Sequence, residues 1–194
     1  DLRFVLRAKQ NLEAGVARDR ENGLAERAVV GDGRVAGTTI GPVQNAAQYA
    51  RLVDLLAEVR AQGRVLHGGA PMEGAGYYIA PTIVTDLPDA ARLVQEEQFG
   101  PIIPLLAYDD EAELVRRVND GPYGLGASVW TADAARGQAM AARIDSGLVW
   151  VNRLFDLPFD VPIGGAKQSG IGRHQGLAGV EEFTQIRIVN AALG

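Results

Sequence analysis

The sequence predicts an α/β fold, a mostly parallel sheet with flanking helices, from three observations. Between residues 102 and 151, short β-prone apolar runs alternate with helix-patterned segments, the order that yields parallel strands joined by crossover helices. Residues 44–62 repeat apolar positions at helical spacing. Thr184 to Val189 alternates polar and apolar residues, as an edge or pairing strand does.

Taken in order, residues 1–29 scatter Phe4, Val5, Leu6, Leu12 and Val16 among charges. They suggest helix, interrupted by Gly15 and Gly23. Gly31-Asp32-Gly33 and Gly37 mark a loop. In residues 44–62, Tyr49, Leu52, Val53, Leu56 and Val59 share one side of a helix, and Gly63 is its stop. Arg64 to Leu66 predicts a short strand, Gly68 to Gly76 a turn, and Tyr77 to Val84 further β structure around Pro81. Ile102 to Tyr108 predicts a strand and Asp109 to Asn119 a helix capped by Asp109 or Asp110. Gly126 to Trp130 predicts a strand, Asp133 to Ile144 a helix capped by Thr131 or Asp133, and Gly147 to Val151 a strand. Residues 152–176 form a long connection rich in Pro and Gly, a length that is usually functional or packed by its own side chains. Gly176 to Phe183 predicts a short helix.

Composition narrows the function classes. The 194 residues suffice for one ordinary domain with a sizeable core. A formal net charge of -5 argues against a general nucleic-acid binder, which needs a basic face for phosphates. No apolar run reaches the roughly 18 residues a membrane span needs, and the first residues carry no secretory signal pattern. With no cysteine, disulfides, cysteine zinc sites and a thiol nucleophile are all excluded within these residues. The expected location is cytoplasmic. Because the chain opens on Asp1 rather than Met, truncation is expected.

Two segments are dense in chemistry-bearing residues. Glu96-Glu97-Gln98-Phe99-Gly100-Pro101 precedes the strand from Ile102. On an extended chain Glu97 and Phe99, two apart, point the same way. A carboxylate and a ring on one face can hold a hydroxyl pair and stack a flat heterocycle. Taken alone, however, the segment is better read as a solvated Glu and a core Phe. The run from Gly164 to Arg173 resembles a phosphate loop, but it lacks the Gly-Lys-Ser/Thr spacing and does not join a strand to a helix as the dinucleotide fingerprint does. Its glycines serve tight turns. His67 and His174 have no acidic partners at ligand spacing, so no metal site is expected. No Gly-x-Ser-x-Gly elbow accompanies Ser128, Ser146 or Ser169. Trp130 and Trp150 read as core or interface residues.

Several pieces, taken in order, resemble the C-terminal half of the aldehyde dehydrogenase superfamily. They are Gly41-Pro42 followed by Gln48; Gly76-Tyr77-Tyr78-Ile79-Ala80-Pro81-Thr82-Ile83; Glu96 through Pro101; Asn119 with Tyr123-Gly124-Leu125-Gly126; Val149-Trp150-Val151-Asn152; and Gly164 through Arg173. The similarity covers roughly residues 29–190. It implies a partial catalytic domain over 1–182, with 1–28 poorly matched, and a terminal oligomerisation strand over 183–194.

The resemblance also implies roles. Glu97 takes the position that hydrogen-bonds the nicotinamide ribose, and Phe99 the one that lies against the nicotinamide side. Gln48 matches a position near the adenosine-side ribose, and Arg51 stands where Lys is common. Leu157 and Ile163 align with substrate-lining positions that are often aromatic, which speaks against a preference for aromatic aldehydes. Asn152 and the 164–173 segment shape the loop that closes the aldehyde tunnel. The implied cofactor is NAD or NADP. In the family a cysteine thiolate attacks the aldehyde, hydride passes to the nicotinamide, a glutamate activates the hydrolytic water, and an asparagine helps hold the oxyanion. All three protein groups lie upstream of the matched region, so no catalytic residue is assigned here. The expectation is an inactive portion of an enzyme with weak or absent cofactor binding of its own, forming a homo-oligomer through its terminal strand. The alternatives are a cysteine-free pseudoenzyme acting as a structural or oligomerisation module and, third, an unrelated α/β binding domain.

Overall fold

The computed structural model describes residues 5–8, 23 and 25–192. The chain divides into two units, one ending at Arg117 and the other beginning at Val118. Each is described by itself.

The first unit is organised by helix α1, Ala46–Gln62. Its start is set by Asn45, whose side chain accepts from the Gln48 N–H at 2.9 Å, satisfying one of the free donors of the first turn. Its end is Gly63, whose N–H closes onto the Val59 carbonyl at 2.9 Å. The helical spacing buries Leu52, Leu55, Leu56 and Val59. They pack in one core with Ile79, Val84, Leu93, Val94, Ile102 and Leu106. Each such side chain contributes about 1.5–3 kcal/mol on full burial.

Under this core lies a four-stranded sheet. Its strands are β1 (Val5–Ala8), β2 (Arg64–His67), β3 (Thr82–Thr85) and β4 (Ile102–Tyr108), in the order β1-β4-β3-β2. β3 pairs antiparallel with β2, and β4 pairs parallel with both β3 and β1. β3 is buried throughout, so its threonines need internal partners. Thr82 Oγ1 donates to the Ala80 carbonyl and accepts from the Gly69 N–H, both at 2.9 Å; Thr85 Oγ1 donates to the Leu105 carbonyl at 3.1 Å. Pro104 sits inside β4 without an N–H to give, opposite Val84 of β3; among the described residues, β1 lies with Val5 opposite Leu105. A short helix, α2 (Arg92–Gln95), precedes β4, and α3 (Glu111–Asn119) follows it. Asp110 caps α3 by accepting from the Glu113 N–H at 2.8 Å.

In the second unit, a short strand β5 (Tyr123–Gly124) is followed by β6 (Gly126–Val129) and β7 (Leu148–Val151), which pair in parallel and are joined by α4 (Ala134–Ala141). Asp133 caps α4 through the Arg136 N–H at 3.0 Å. β5 pairs antiparallel with β8 (Ala166–Lys167), and α5 (Gly176–Glu181) follows. Gly147, just before β7, lies where a Cβ would stand 1.8 Å from the Gly164 carbonyl oxygen.

Two expectations are corrected. The run of strands and helices from 102 to 151 does not build one sheet. Among the described residues, both edges of β4 are taken, by β3 and β1, and β6 pairs with β7 in a separate sheet. Within the segment expected to be helical, Val5–Ala8 is a strand, its backbone completing the second edge of β4. The remaining expectations for residues 9–22 lie outside the described residues. Thr184–Val189, expected to pair with a neighbouring copy, forms no strand within the single chain. Ile186 and Ile188 are nearly nine-tenths exposed, because an alternating segment becomes a strand only against a partner edge.

Candidate functional site

The Glu96–Pro101 segment crosses from α2 to β4, and helix α1 holds it from two directions. The Gln48 amide, in the first turn of α1, donates to the Gln98 carbonyl. Arg51, one turn on, bonds Glu96 at 2.8 Å. Glu96 also meets Arg92 at 3.3 Å, and Arg92 bonds Glu58. Arg51, Glu96, Arg92 and Glu58 thus form one chain of alternating charge tying α1 to α2. The Arg51 hydrogen bond, helped by Arg92, holds the Glu96 carboxyl below its ordinary value against the opposing effect of desolvation. Glu58 first, then Glu96, holds Arg92 above its own.

Within the segment, Gln98 folds its side chain over its neighbour. Its Oε1 accepts from the Gly100 N–H and its Nε2 donates to the Ile102 carbonyl at 2.6 Å. Gly100 rests on the core: a Cβ there would stand 2.5 Å from the Leu52 methyl. Phe99, between them, has φ +50°, a region bulky residues rarely enter. The residue is 75% exposed. Its exposure corrects the reading of Phe99 as core, and the positive φ departs from the extended backbone on which the same-face expectation rests. Glu97 is half-buried and engaged.

Three of the five residues singled out from sequence, Gln48, Glu97 and Phe99, therefore meet around one turn. Leu157 and Ile163 belong to the second unit. Ile163 is fixed by reciprocal backbone bonds with His174, at 2.8 and 2.7 Å; Leu157 is half-buried in the long connection. That connection leaves β7 at Asn152, φ +54°. It is steadied by the Trp150 indole N–H donating to the Asp156 carbonyl at 2.8 Å, with the Phe155 ring 6.0 Å from that of Trp150. Further on, Arg173 Nη1 donates to the Gly165, Ile171 and Gly172 carbonyls, so the 164–173 segment binds its own backbone. Lys167 Nζ donates to the Asn119 and Gly121 carbonyls. An open cleft of about 680 Å³ is lined by Phe159, Leu177, Val180 and Phe183; neither Leu157 nor Ile163 contributes to it.

Sequence reasoning missed Gln98 and the charge chain. The Arg92–Glu96 spacing of four was visible, but the partners of Gln98 and Arg51 lie far along the chain.

Comparison with known proteins fits this arrangement. Residues 15–189 match the aldehyde dehydrogenase family. A betaine aldehyde dehydrogenase of Brucella anthropi is 40% identical over 170 residues, 85% of this chain and 35% of that protein. One of Rhizobium etli is 36% identical over 173 residues, 87% of this chain and 36% of that protein. The NAD+ complex of an aldehyde dehydrogenase from Bacillus cereus superposes with TM-score 0.87 at 32% identity, covering 94% of this chain and 37% of that one. The Mycobacterium tuberculosis enzyme complexed with NAD+ gives 0.86 at 32% identity, covering 94% and 38%. The chain thus spans little more than a third of the length of the relatives it matches. Among the described residues no helix is long and apolar enough to cross a membrane. Matched over most of its length in sequence and in fold, the chain belongs to the aldehyde dehydrogenase family.

Proposed function

We propose that this chain is the C-terminal portion of an NAD(P)-dependent aldehyde dehydrogenase that oxidises an aldehyde to a carboxylic acid, and that it contributes one side of the cofactor site. The observation that carries the reading is the Phe99 turn. An aromatic ring is held largely in solvent, on a backbone conformation bulky residues avoid, by bonds on both sides. Strain that surrounding structure over-determines is concentrated at functional sites.

The residues fit the nicotinamide end of the cofactor. Glu97 offers carboxylate oxygens to ribose hydroxyls, the Phe99 ring offers a flat apolar face, and Gln48 lies close by for the adenosine-side ribose. When bound, the cofactor supplies the hydride acceptor. Glu97 and Phe99 orient it; neither moves a proton. Leu157 and Ile163 line the aldehyde path with aliphatic side chains, which speaks against a preference for aromatic aldehydes. Without a cysteine the chain has no thiolate to attack the aldehyde, so it is inactive alone; with two ribose contacts and a ring in place of a dinucleotide-binding fold, it binds the cofactor weakly or not at all. The terminal segment pairs with another copy. A cytoplasmic location is part of the proposal, resting on the acidic, cysteine-free composition.

The test assays the isolated chain and the full gene product for aldehyde-dependent NAD or NADP reduction. The reading predicts activity only in the longer protein, and a raised KM for the cofactor on Glu97→Gln or Phe99→Ala. Tight stoichiometric NAD binding by the chain alone, or no effect of either substitution on cofactor KM, would overturn it.

A further inference from the structure

The Phe99 turn depends on its predecessor. Gln98 Oε1 accepts from the Gly100 N–H, so the Gln98 side chain closes a ring around Phe99, while its Nε2 anchors that ring to the first residue of β4 through the Ile102 carbonyl at 2.6 Å. The Gln98 carbonyl is in turn held by the Gln48 amide of α1. Gly100 has no room for a side chain above Leu52, itself fully buried. The turn is therefore fixed by three polar contacts and one packing contact, while its apex is left in solvent. An aliphatic residue at 98 would keep the packing and lose both side-chain bonds.

We infer that Gln98 is a positioning residue. Its side-chain amide, with the Gln48 amide behind it, holds Phe99 at positive φ so that the ring stands ready for the cofactor before binding. The inference rests on the reading of Phe99 as a cofactor contact. It also gives Gln48 a further role, since its amide sets the geometry of the turn from below. The contribution is preorganisation. A ring already in place loses less freedom when its ligand arrives.

The test uses the full gene product and three variants. Gln98→Met keeps the length and removes both bonds. Gln98→Glu keeps the acceptor for the Gly100 N–H and removes the donor. Phe99→Ala removes the ring. Gln98→Met should raise the KM for NAD about fivefold to tenfold, the factor an ordinary hydrogen bond gives. The KM for the aldehyde should stay within about twofold, since only one substrate is positioned by the turn. Gln98→Glu should fall between Gln98→Met and the unmodified enzyme. Nuclear magnetic resonance of the chain should give Phe99 a backbone coupling for positive φ that Gln98→Met abolishes. If Gln98→Met leaves the NAD KM unchanged while Phe99→Ala raises it, the inference fails and the cofactor reading stands. If Phe99→Ala also has no effect, both fail. Equal rises in both KM values with a fall in Tm would mark Gln98 as merely structural and overturn the inference. Should Gln98→Met not fold, the Gln98→Glu comparison decides by the same criteria.

Discussion

The Asn152 side chain makes two 2.8 Å hydrogen bonds to the backbone of Thr131, accepting from its N–H and donating to its carbonyl. The amide extends the β6–β7 ladder by one rung, using a side chain where the main chain has turned away at φ +54°. Replacing it with Ala loses both bonds and leaves a poorly suited residue at positive φ. The expected cost is about 1–3 kcal/mol. Asn152→Gly loses the same bonds but tolerates the φ, so it should cost less than Ala. Both tryptophans, Trp130 and Trp150, lie in the second unit; urea unfolding followed by their fluorescence reads this difference directly.

Gly147 presents a different sensitivity. A methyl group there would stand 1.8 Å from the Gly164 carbonyl oxygen, and neither group is the free end of a flexible side chain. Gly147→Ala must displace the 164–173 segment. A destabilisation of about 2 kcal/mol or more is expected, seen as a lowered urea midpoint by tryptophan fluorescence. A midpoint equal to that of the unmodified chain would show that the segment yields without cost.

The charge chain predicts a pH dependence in the first unit. Its folded state holds the Glu96 carboxyl below the ordinary glutamate range, chiefly through Arg51. The stabilisation is therefore fully present above that ordinary range and is lost as pH falls through the lowered folded value. Arg51→Met should remove most of it at neutral pH and make little difference at strongly acid pH. Because both side chains are more than a third exposed, the effect should stay below about 1 kcal/mol and shrink with salt. Circular dichroism melts across pH and ionic strength check the sign and the size.

The terminal segment predicts association. Ile186, Ile188 and Val189 are exposed in the single chain, and such a segment gains partners for its backbone and cover for its side chains by adding to a sheet edge of another copy. Ile186→Lys with Ile188→Lys should lower the molar mass measured by light scattering at high concentration and leave the melting of each unit nearly unchanged. A well-behaved monomer before the substitutions would overturn the prediction.

Local patterns carried much of the fold. Leu52, Leu56 and Val59 at helical spacing, with Gly63 behind them, announced α1; of the cap pairs Asp109/Asp110 and Thr131/Asp133, the structure uses Asp110 and Asp133. Pairing was not legible. Nothing in Ile102–Tyr108 says that its second edge belongs to Val5–Ala8 rather than to the next strand, since that choice is made by residues far apart in sequence. The turn at Phe99 was half legible. The motif named the residues, but a positive φ is usually betrayed by Gly or Asn, and here side-chain bonds from Gln98 enforce it on a Phe. Those bonds, and the one from Gln48, follow no period that a sequence displays.

The pairing of Val5 with Leu105 has a consequence for how the chain is made. During synthesis β1 emerges long before the edge that receives it. Until Leu105 has left the ribosome, Val5–Ala8 has no place in the sheet, and α1 emerges before Val84, Ile102 and Leu106, the strand residues that complete its core. Long-range closure of this kind slows folding and prolongs the exposure of unpaired strand groups. The first unit is thus completed only once β4 has been made.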